Sequence, residues 1–248
     1  MSDENFYVVA EESGAENPAI PTWANDSVNP ASLDLEFAGS IERREVEHVP
    51  GAFQLTGVLT VAECERLIVL TESLGYVPDA AVSLPRSVRH NDSLTWVVND
   101  ETSDLIWGRC GAFVNRNNHL FYGSKALGLN NRFRFYRYGE GDYFSPHTDG
   151  SWPGSRVVNR HLVHNAFDDR WSQLTLLLFL NDDFEGGSTE FQVRGQSDNA
   201  MKTVAVRTPR GGVLCFPHGT HPMHCLHSSG PVTTGVKYII RSDVLFEI

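Results

Sequence analysis

Three side chains in this sequence have the types and spacing to share one metal ion. His147-Thr148-Asp149 is an H-x-D pair, and His227 offers a second imidazole far along the chain. Two histidines and one carboxylate leave three positions open on one side of a divalent ion, where small molecules can bind and react. The pair alone decides nothing, because the chain has 10 histidines and a second match, His90-Asn91-Asp92. Context favours His147. A strand-like run and the turn Tyr138-Gly139-Glu140-Gly141-Asp142 precede it, and a strand-rich half follows that can bring a third ligand alongside. The plainer alternative for His147 and Asp149 is a surface loop of hydrogen-bonded polar groups.

A cation completes the pattern. Lys237 lies ten residues after His227, with Pro231 and Gly235 between them, which suits a ligand on one strand and a charge on the next. Its neighbours Val236, Tyr238, Ile239 and Ile240 are apolar, and a lysine turned inward among them needs an anionic partner. Otherwise it belongs on the solvent face of an edge strand. His218, His221 and His224 crowd the same segment, and a His-rich tract can itself bind metal. The spacing to Lys237 selects His227. It leaves His221 and His224 as supporting or loop residues, and His161 and His164 as surface positions.

Stepping outward, two helices and a run of strands are expected to hold these residues. Thr60-Val61-Ala62-Glu63 forms a capping box, Leu67, Ile68 and Leu70 give an apolar face, and Gly75 is a suitable stop. A second helix is expected from Ser103 to about Val114. From Arg132 onward the texture is that of strands. Arg132-Phe133-Arg134-Phe135 alternates, Leu174 to Leu180 reads as a strand buried on both faces, and shorter candidates follow at 189–193, 203–207, 213–216 and 236–241. Helices first and short strands afterwards predict an α+β protein built around a double-sheet barrel.

The charge is unevenly spread. Of 31 acidic residues, 11 fall in residues 1–48 against two arginines, so the net charge of −11 belongs mostly to that segment. It is expected to be a poorly ordered acidic lead-in to a domain spanning 49–248. No basic surface suggests nucleic acid, and no apolar run is long enough for a membrane span. The N-terminus lacks the basic and apolar regions of a signal peptide. The four cysteines show no metal or disulfide spacing. A cytoplasmic protein with reduced thiols is the expectation.

Taken in order, several motifs in the second half resemble one family. They are Tyr138-x-x-Gly141-x-x-Phe144-x-Pro146-His147-x-Asp149, Thr175-x-Leu177-x-Phe179-Leu180-Asn181, Gly186-Gly187-Ser188-Thr189-Glu190-Phe191 and His227-x-x-x-Pro231-Val232-x-x-Gly235-x-Lys237. The chain from about Phe133 onward is similar to the prolyl-4-hydroxylase-like branch of the Fe(II)/2-oxoglutarate-dependent oxygenases. The resemblance implies a double-stranded β-helix (jelly roll) buttressed by N-terminal helices. It implies His147, Asp149 and His227 as iron ligands, Lys237 as the partner of the 2-oxoglutarate C5 carboxylate, Tyr138 as a hydrogen-bond donor near it, and Thr175 close to the same carboxylate. Phe179 and Phe144 depart from the tyrosines that relatives often carry.

The activity implied is hydroxylation of an unactivated C–H bond with release of succinate and CO2, with ascorbate as an optional reductant. The substrate would be a peptidyl side chain such as proline, or a free amino acid or small metabolite. Retention of Asp149 argues against halogenation, which needs that position freed. A catalytically idle jelly-roll binding module is the alternative. Arg86, Arg89 and Asn91, on a loop that closes over substrate in relatives, are candidate substrate contacts. Trp152, in the excursion from Gly150 to Trp171, is another. A solvated basic loop and a plain surface excursion are the alternatives.

Overall fold

In the computed structural model, residues 5–81, 84–194 and 200–248 are described. Two strands, β1 (Phe6–Glu12) and β2 (Ile20–Asn25), form a hairpin, followed by β3 (Glu42–Glu45) and β4 (Phe53–Thr56). Helix α1 (Val61–Leu74) starts where the capping box places it. The Thr60 hydroxyl accepts from the Glu63 N–H, and the Glu63 carboxylate accepts from the Thr60 N–H. Gly75 ends the helix with φ 91°, a conformation that suits glycine. Strands β5 (Arg89–His90) and β6 (Asp92–Val97) lead into α2 (Asp100–Val114). That helix begins three residues earlier than expected, because the Asn99 side chain accepts from the Thr102 N–H.

The second half is almost all strand. It runs through β7 (Ala126–Leu129), β8 (Arg132–Tyr138), β9 (Tyr143–His147) and the hairpin β10 (Arg156–Val158) and β11 (His161–Val163) to the long β12 (Arg170–Phe179). Then follow β13 (Glu185–Gly186), β14 (Thr189–Arg194), β15 (Met201–Val206), β16 (Val213–Pro217), β17 (His227–Ser229), β18 (Val232–Thr234) and β19 (Lys237–Glu247).

The larger sheet has the order β1-β2-β6-β8-β19-β12-β16-β4-β3, with β7 also paired to β19. The smaller has the order β15-β14-β17-β9-β5. Consecutive strands cross between the two sheets, as β8 to β9 and β16 to β17 do, which is the jelly-roll form of a sheet pair. One apolar cluster lies against the helices and includes Leu67, Ile106, Trp96 and Phe246. A second fills the space between the sheets and includes Tyr138, Phe179, Phe191 and Phe216. Among the described residues no helix is long and apolar enough to cross a membrane.

The acidic lead-in differs from its expectation. Residues 1–4 lie outside the described residues, but 5–48 are folded onto the larger sheet. Ile20, Thr22 and Ala24 alternate inward and are buried, β2 pairs in parallel with β6, and Phe6 meets the Trp96 ring edge-on at 5.1 Å. The negative charge is locally answered: Glu12 accepts from Arg132. Composition averages over the segment, whereas three inward residues on a strand suffice to bind it to a sheet edge.

Candidate metal centre

Strand β8 belongs to the larger sheet and β9 to the smaller, so the chain must reverse tightly between them. It does so at Gly139–Asp142. The Asp142 N–H donates to the Gly139 carbonyl, the Asp142 carboxylate accepts from the Gly139 N–H, and Gly141 takes φ 83°. β9 then ends on His147, directly opposite His227 in the pairing of β9 with β17. Asp149 lies just beyond the strand end, where its carbonyl accepts from the Gly219 N–H.

The three side chains converge. One ligand atom from each of His147, Asp149 and His227 falls within a span of 4.8 Å. The Nε2 atoms of His147 and His227 each lie 3.8 Å from an Asp149 carboxylate oxygen. His147 Nδ1 is 2.8 Å from the Ser145 carbonyl, and His227 Nδ1 is 3.1 Å from that of Cys225. A carbonyl only accepts, so each Nδ1 carries the proton and each Nε2 presents a lone pair to the centre. Burial, and next the adjoining His227, lower His147 to about 4, leaving the ring neutral and able to ligate. Burial opposes ionisation of Asp149, but the polar surroundings supplied by His227, His147, His218 and the Thr175 hydroxyl outweigh it and keep the carboxyl below its ordinary range. Neutral imidazoles and an ionised carboxylate fit a divalent ion with open positions. Phe144 stacks on His147 at 3.6 Å between ring centroids, and Phe216 lies 4.5 Å from His227.

Lys237 lines the same cavity from β19, together with Tyr138, Leu177 and Arg241. Its side chain is 1% exposed. The ammonium donates to the Gly187 carbonyl at 2.7 Å and the Ser229 hydroxyl at 2.9 Å, and it makes no ion pair with a carboxylate among the described residues. Burial, then the charge of Arg207, lower it to about 7. A buried ammonium with only neutral acceptors matches an incoming dicarboxylate. Gly187, at φ 58°, brings its backbone against this lysine, and a Cβ there would meet the Lys237 side chain at 3.3 Å. Tyr138 is buried beside the lysine, with Nζ 4.9 Å from the ring centroid.

Thr175 does something other than expected. Its hydroxyl donates to Asp149 Oδ2 at 2.6 Å and is 2.8 Å from His218 Nδ1. His218 Nε2 in turn meets the Ser172 hydroxyl at 3.0 Å. Since the Thr175 proton goes to Asp149, His218 must donate to Thr175 and accept from Ser172. This relay orients the carboxylate and is remote from Lys237, which sits at the far end of the paired strand. His218 thus belongs to the support of the site, and its burial could have been suspected only from the apolar Val213–Phe216 run before it. Arg241 was also missed, although it lies four residues after Lys237 and so on the same face of β19. Its Nη2 is 3.5 Å from Asp149 Oδ1 and 2.9 Å from Asp243 Oδ1.

The other candidates separate cleanly. His90 Nδ1 is 2.6 Å from Asp142, and Asp92 pairs with Arg137, so the second H-x-D match is part of a salt-bridge network. His221 Nε2 donates to the Leu120 carbonyl. His161 and His164 are exposed. Arg86 is bound to the Pro78 carbonyl and lies 3.9 Å from Asp92, away from the cavity. Arg89 is buried, with its guanidinium 4.3 Å from the Tyr136 ring centroid and its Nε donating to Asn91. Asn91 therefore positions Arg89. Trp152 is 42% exposed and covers Arg134 at 5.6 Å. A wider groove along β14 and β15 holds no triad residue.

A jelly roll that brings two histidines of its smaller sheet, an aspartate just beyond the strand end and a buried lysine into one cavity has the donor set for a non-haem iron centre. Residues 133–242, which contain all these positions, match the model of the 2OG-Fe(II) oxygenase superfamily. The matched segment carries the triad and Lys237, and in that segment the chain is similar to Fe(II)- and 2-oxoglutarate-dependent oxygenases. Among solved structures, it is similar to the collagen prolyl hydroxylase of Paramecium bursaria Chlorella virus 1, with 19% identity, 79% of this chain and 96% of that one covered, and a TM-score of 0.51. A Pseudomonas putida prolyl-4-hydroxylase (14% identity, 78% and 91% covered, TM-score 0.50) shares the fold. So does a Burkholderia pseudomallei oxidoreductase of the 2OG-Fe(II) oxygenase family (13%, 79% and 85%, TM-score 0.50). At these identities the likeness concerns the fold alone. No curated protein sequence matches the chain.

Proposed function

We propose that His147, Asp149 and His227 hold Fe(II), that Lys237 pairs with the far carboxylate of 2-oxoglutarate, and that the enzyme hydroxylates an unactivated C–H bond. The observation that carries this reading is Lys237: a fully buried ammonium whose acceptors are both neutral, in one cavity with the triad. Bound Fe(II) and 2-oxoglutarate supply the oxidising chemistry, with O2 consumed and succinate and CO2 released. The chain's own residues do the rest. The Ser145 and Cys225 carbonyls fix both imidazole tautomers, and the relay from Ser172 through His218 and Thr175 aims the Asp149 carboxylate. Tyr138, Phe144 and Leu177 wall the cavity against water. The Lys237 ammonium and the Ser229 hydroxyl orient the co-substrate so that its other end meets the metal.

The substrate class proposed is a peptidyl side chain such as the proline named for the viral relative, or a free amino acid or small metabolite. Ascorbate would act as the reductant that recovers over-oxidised enzyme. We place the oxygenase domain at 49–248, with the strands of 5–48 extending its larger sheet at both edges. The free thiols Cys64, Cys110 and Cys215, all buried, support action in the reducing cytoplasm. The decisive assay measures succinate formed from 2-oxoglutarate with Fe(II) and O2, alone and with a panel of peptides and acids. Metal and 2-oxoglutarate binding without any succinate would leave the idle binding module as the better account.

A further inference from the structure

Four buried arginines cluster near the metal cavity, Arg241 lining it and Arg89, Arg132 and Arg134 lining a small cavity that adjoins it at Tyr136, and their charge is not balanced. Arg132 and Arg134 alternate on the inward face of β8, and Arg134 stands opposite Arg241 in the pairing of β8 with β19. Arg89 comes from the smaller sheet and lies over Tyr136, whose ring lines both the metal cavity and a small adjoining cavity bounded by Arg89, Arg132 and Arg134. All four side chains are more than nine-tenths buried, at 6%, 7%, 8% and 6% exposure for Arg89, Arg132, Arg134 and Arg241. Outside the triad they face two carboxylates. Glu12 takes one N–H of Arg132, and Asp243 lies 3.7 Å from Arg134 and 2.9 Å from Arg241. Arg89 has no acidic partner among the described residues; its Nε donates to Asn91.

Arg89 Nη2, Arg132 Nη1, Arg134 Nη1 and Arg241 Nε are buried N–H groups without a hydrogen-bond partner among the described residues. Buried donors of this kind are rare in folded proteins and call for a functional reason. Burial, and next the like charge of Arg134, lower Arg132, so the cluster is held against its own repulsion. A guanidinium fork matches a carboxylate, and several forks opening on one small space match a single small anion.

We propose that this arginine cluster is the substrate subsite and that the substrate is a small carboxylic acid, held by its carboxylate at Arg89, Arg132 and Arg134 beside the metal. The inference rests on the function proposed above, and it selects the small acid over a neutral peptidyl side chain. Arg241 bridges the two sites, touching Asp149 on one side and facing Arg134 on the other. The subsite being buried, the anion must be carried by the molecule that is oxidised and not by a distant part of a large partner.

The test uses the full chain loaded with Mn(II) and saturating 2-oxoglutarate without O2, at constant ionic strength. It is titrated with acetate, propionate and N-acetyl-L-proline, and with acetamide, propionamide and N-acetyl-L-prolinamide. Each acid is expected to bind at least about tenfold more tightly than its amide, as a charge-assisted contact to desolvated arginines requires. Arg89→Gln and Arg134→Gln should each reduce that preference by roughly ten- to hundred-fold. Arg89→Gln breaks no ion pair and keeps the result readable if Arg134→Gln is unstable. Equal binding of acids and amides, or an unchanged preference in Arg89→Gln, overturns the proposal. So does a neutral peptide that is turned over faster than any acid. If the arginine variants instead lose 2-oxoglutarate, the cluster serves the co-substrate and the substrate assignment is wrong. Failure of the wild-type chain to bind 2-oxoglutarate with Mn(II) would strike the proposed function itself, and is read separately from the acid-to-amide ratio.

Discussion

Replacing Lys237 with methionine removes the charge while nearly preserving length and volume, so the inter-sheet core around Phe179 and Tyr138 should survive. The effect on 2-oxoglutarate should be large. A dicarboxylate end buried without its cation costs about 3–5 kcal/mol, which is roughly a hundred- to several-thousand-fold in affinity. The wild-type protein adds a pH signature. Burial and then Arg207 hold the free lysine at about 7, and a bound carboxylate raises it again. Below pH 7 the ammonium is already formed and affinity is maximal. Above pH 7 each molecule bound must bring a proton to Lys237, so affinity should fall about tenfold per pH unit until the bound-state value is reached. Stability of the free protein moves the other way. The buried ammonium destabilises the fold fully below pH 7, and that burden is lifted between about 7 and the ordinary lysine value of 10.5. Calorimetric titration of the Mn(II)-loaded protein in two buffers of different ionisation heat measures both affinity and proton uptake. A loss below threefold in Lys237→Met, or the same pH slope in wild type and variant, would refute the reasoning and turn attention to Arg241.

Four further outcomes follow from the geometry. Alanine at His147, Asp149 or His227 should weaken Mn(II) binding, read by paramagnetic resonance, by more than the roughly 10–100-fold typical of losing a supporting group. The His90→Ala/Asp92→Ala double variant should keep its metal, and the reverse result would mean that the other H-x-D pair is the site. Thr175→Val, nearly isosteric, should lower metal affinity by about 10–100-fold by releasing Asp149, while an effect confined to 2-oxoglutarate would return Thr175 to the co-substrate site. Deleting residues 1–27 should lower stability by about 3–6 kcal/mol, from exposing the surfaces covered by Phe6, Ile20 and Ala24. An unchanged urea midpoint would show that β1 and β2 contribute nothing.

Where each feature was legible depends on the range of the interaction that makes it. The capping box at Thr60 and Glu63, the stop at Gly75, the buried run from Leu174 and the spacing of His227 to Lys237 are set by residues a few positions apart. They could be read from the chain directly. The two H-x-D pairs are locally alike, and the sequence favoured His147 only by context. Tertiary structure separates them physically: β17 lays His227 against His147, whereas His90 and Asp92 find Asp142 and Arg137. Thr175 was correctly placed on a core strand, but its partner was not, because the register of β12 against β16 and β19 decides whether it meets Asp149 or Lys237. The arginines at 132, 134 and 241 read as ordinary polar positions of alternating strands until the sheets close and the polar side of each strand proves to be the inside. The sequence by itself determined the two helices, the long strands of the second half, the ligand types and the position of the cation. The pairing of strands distant in sequence decided which charges meet and which are left to bind something else.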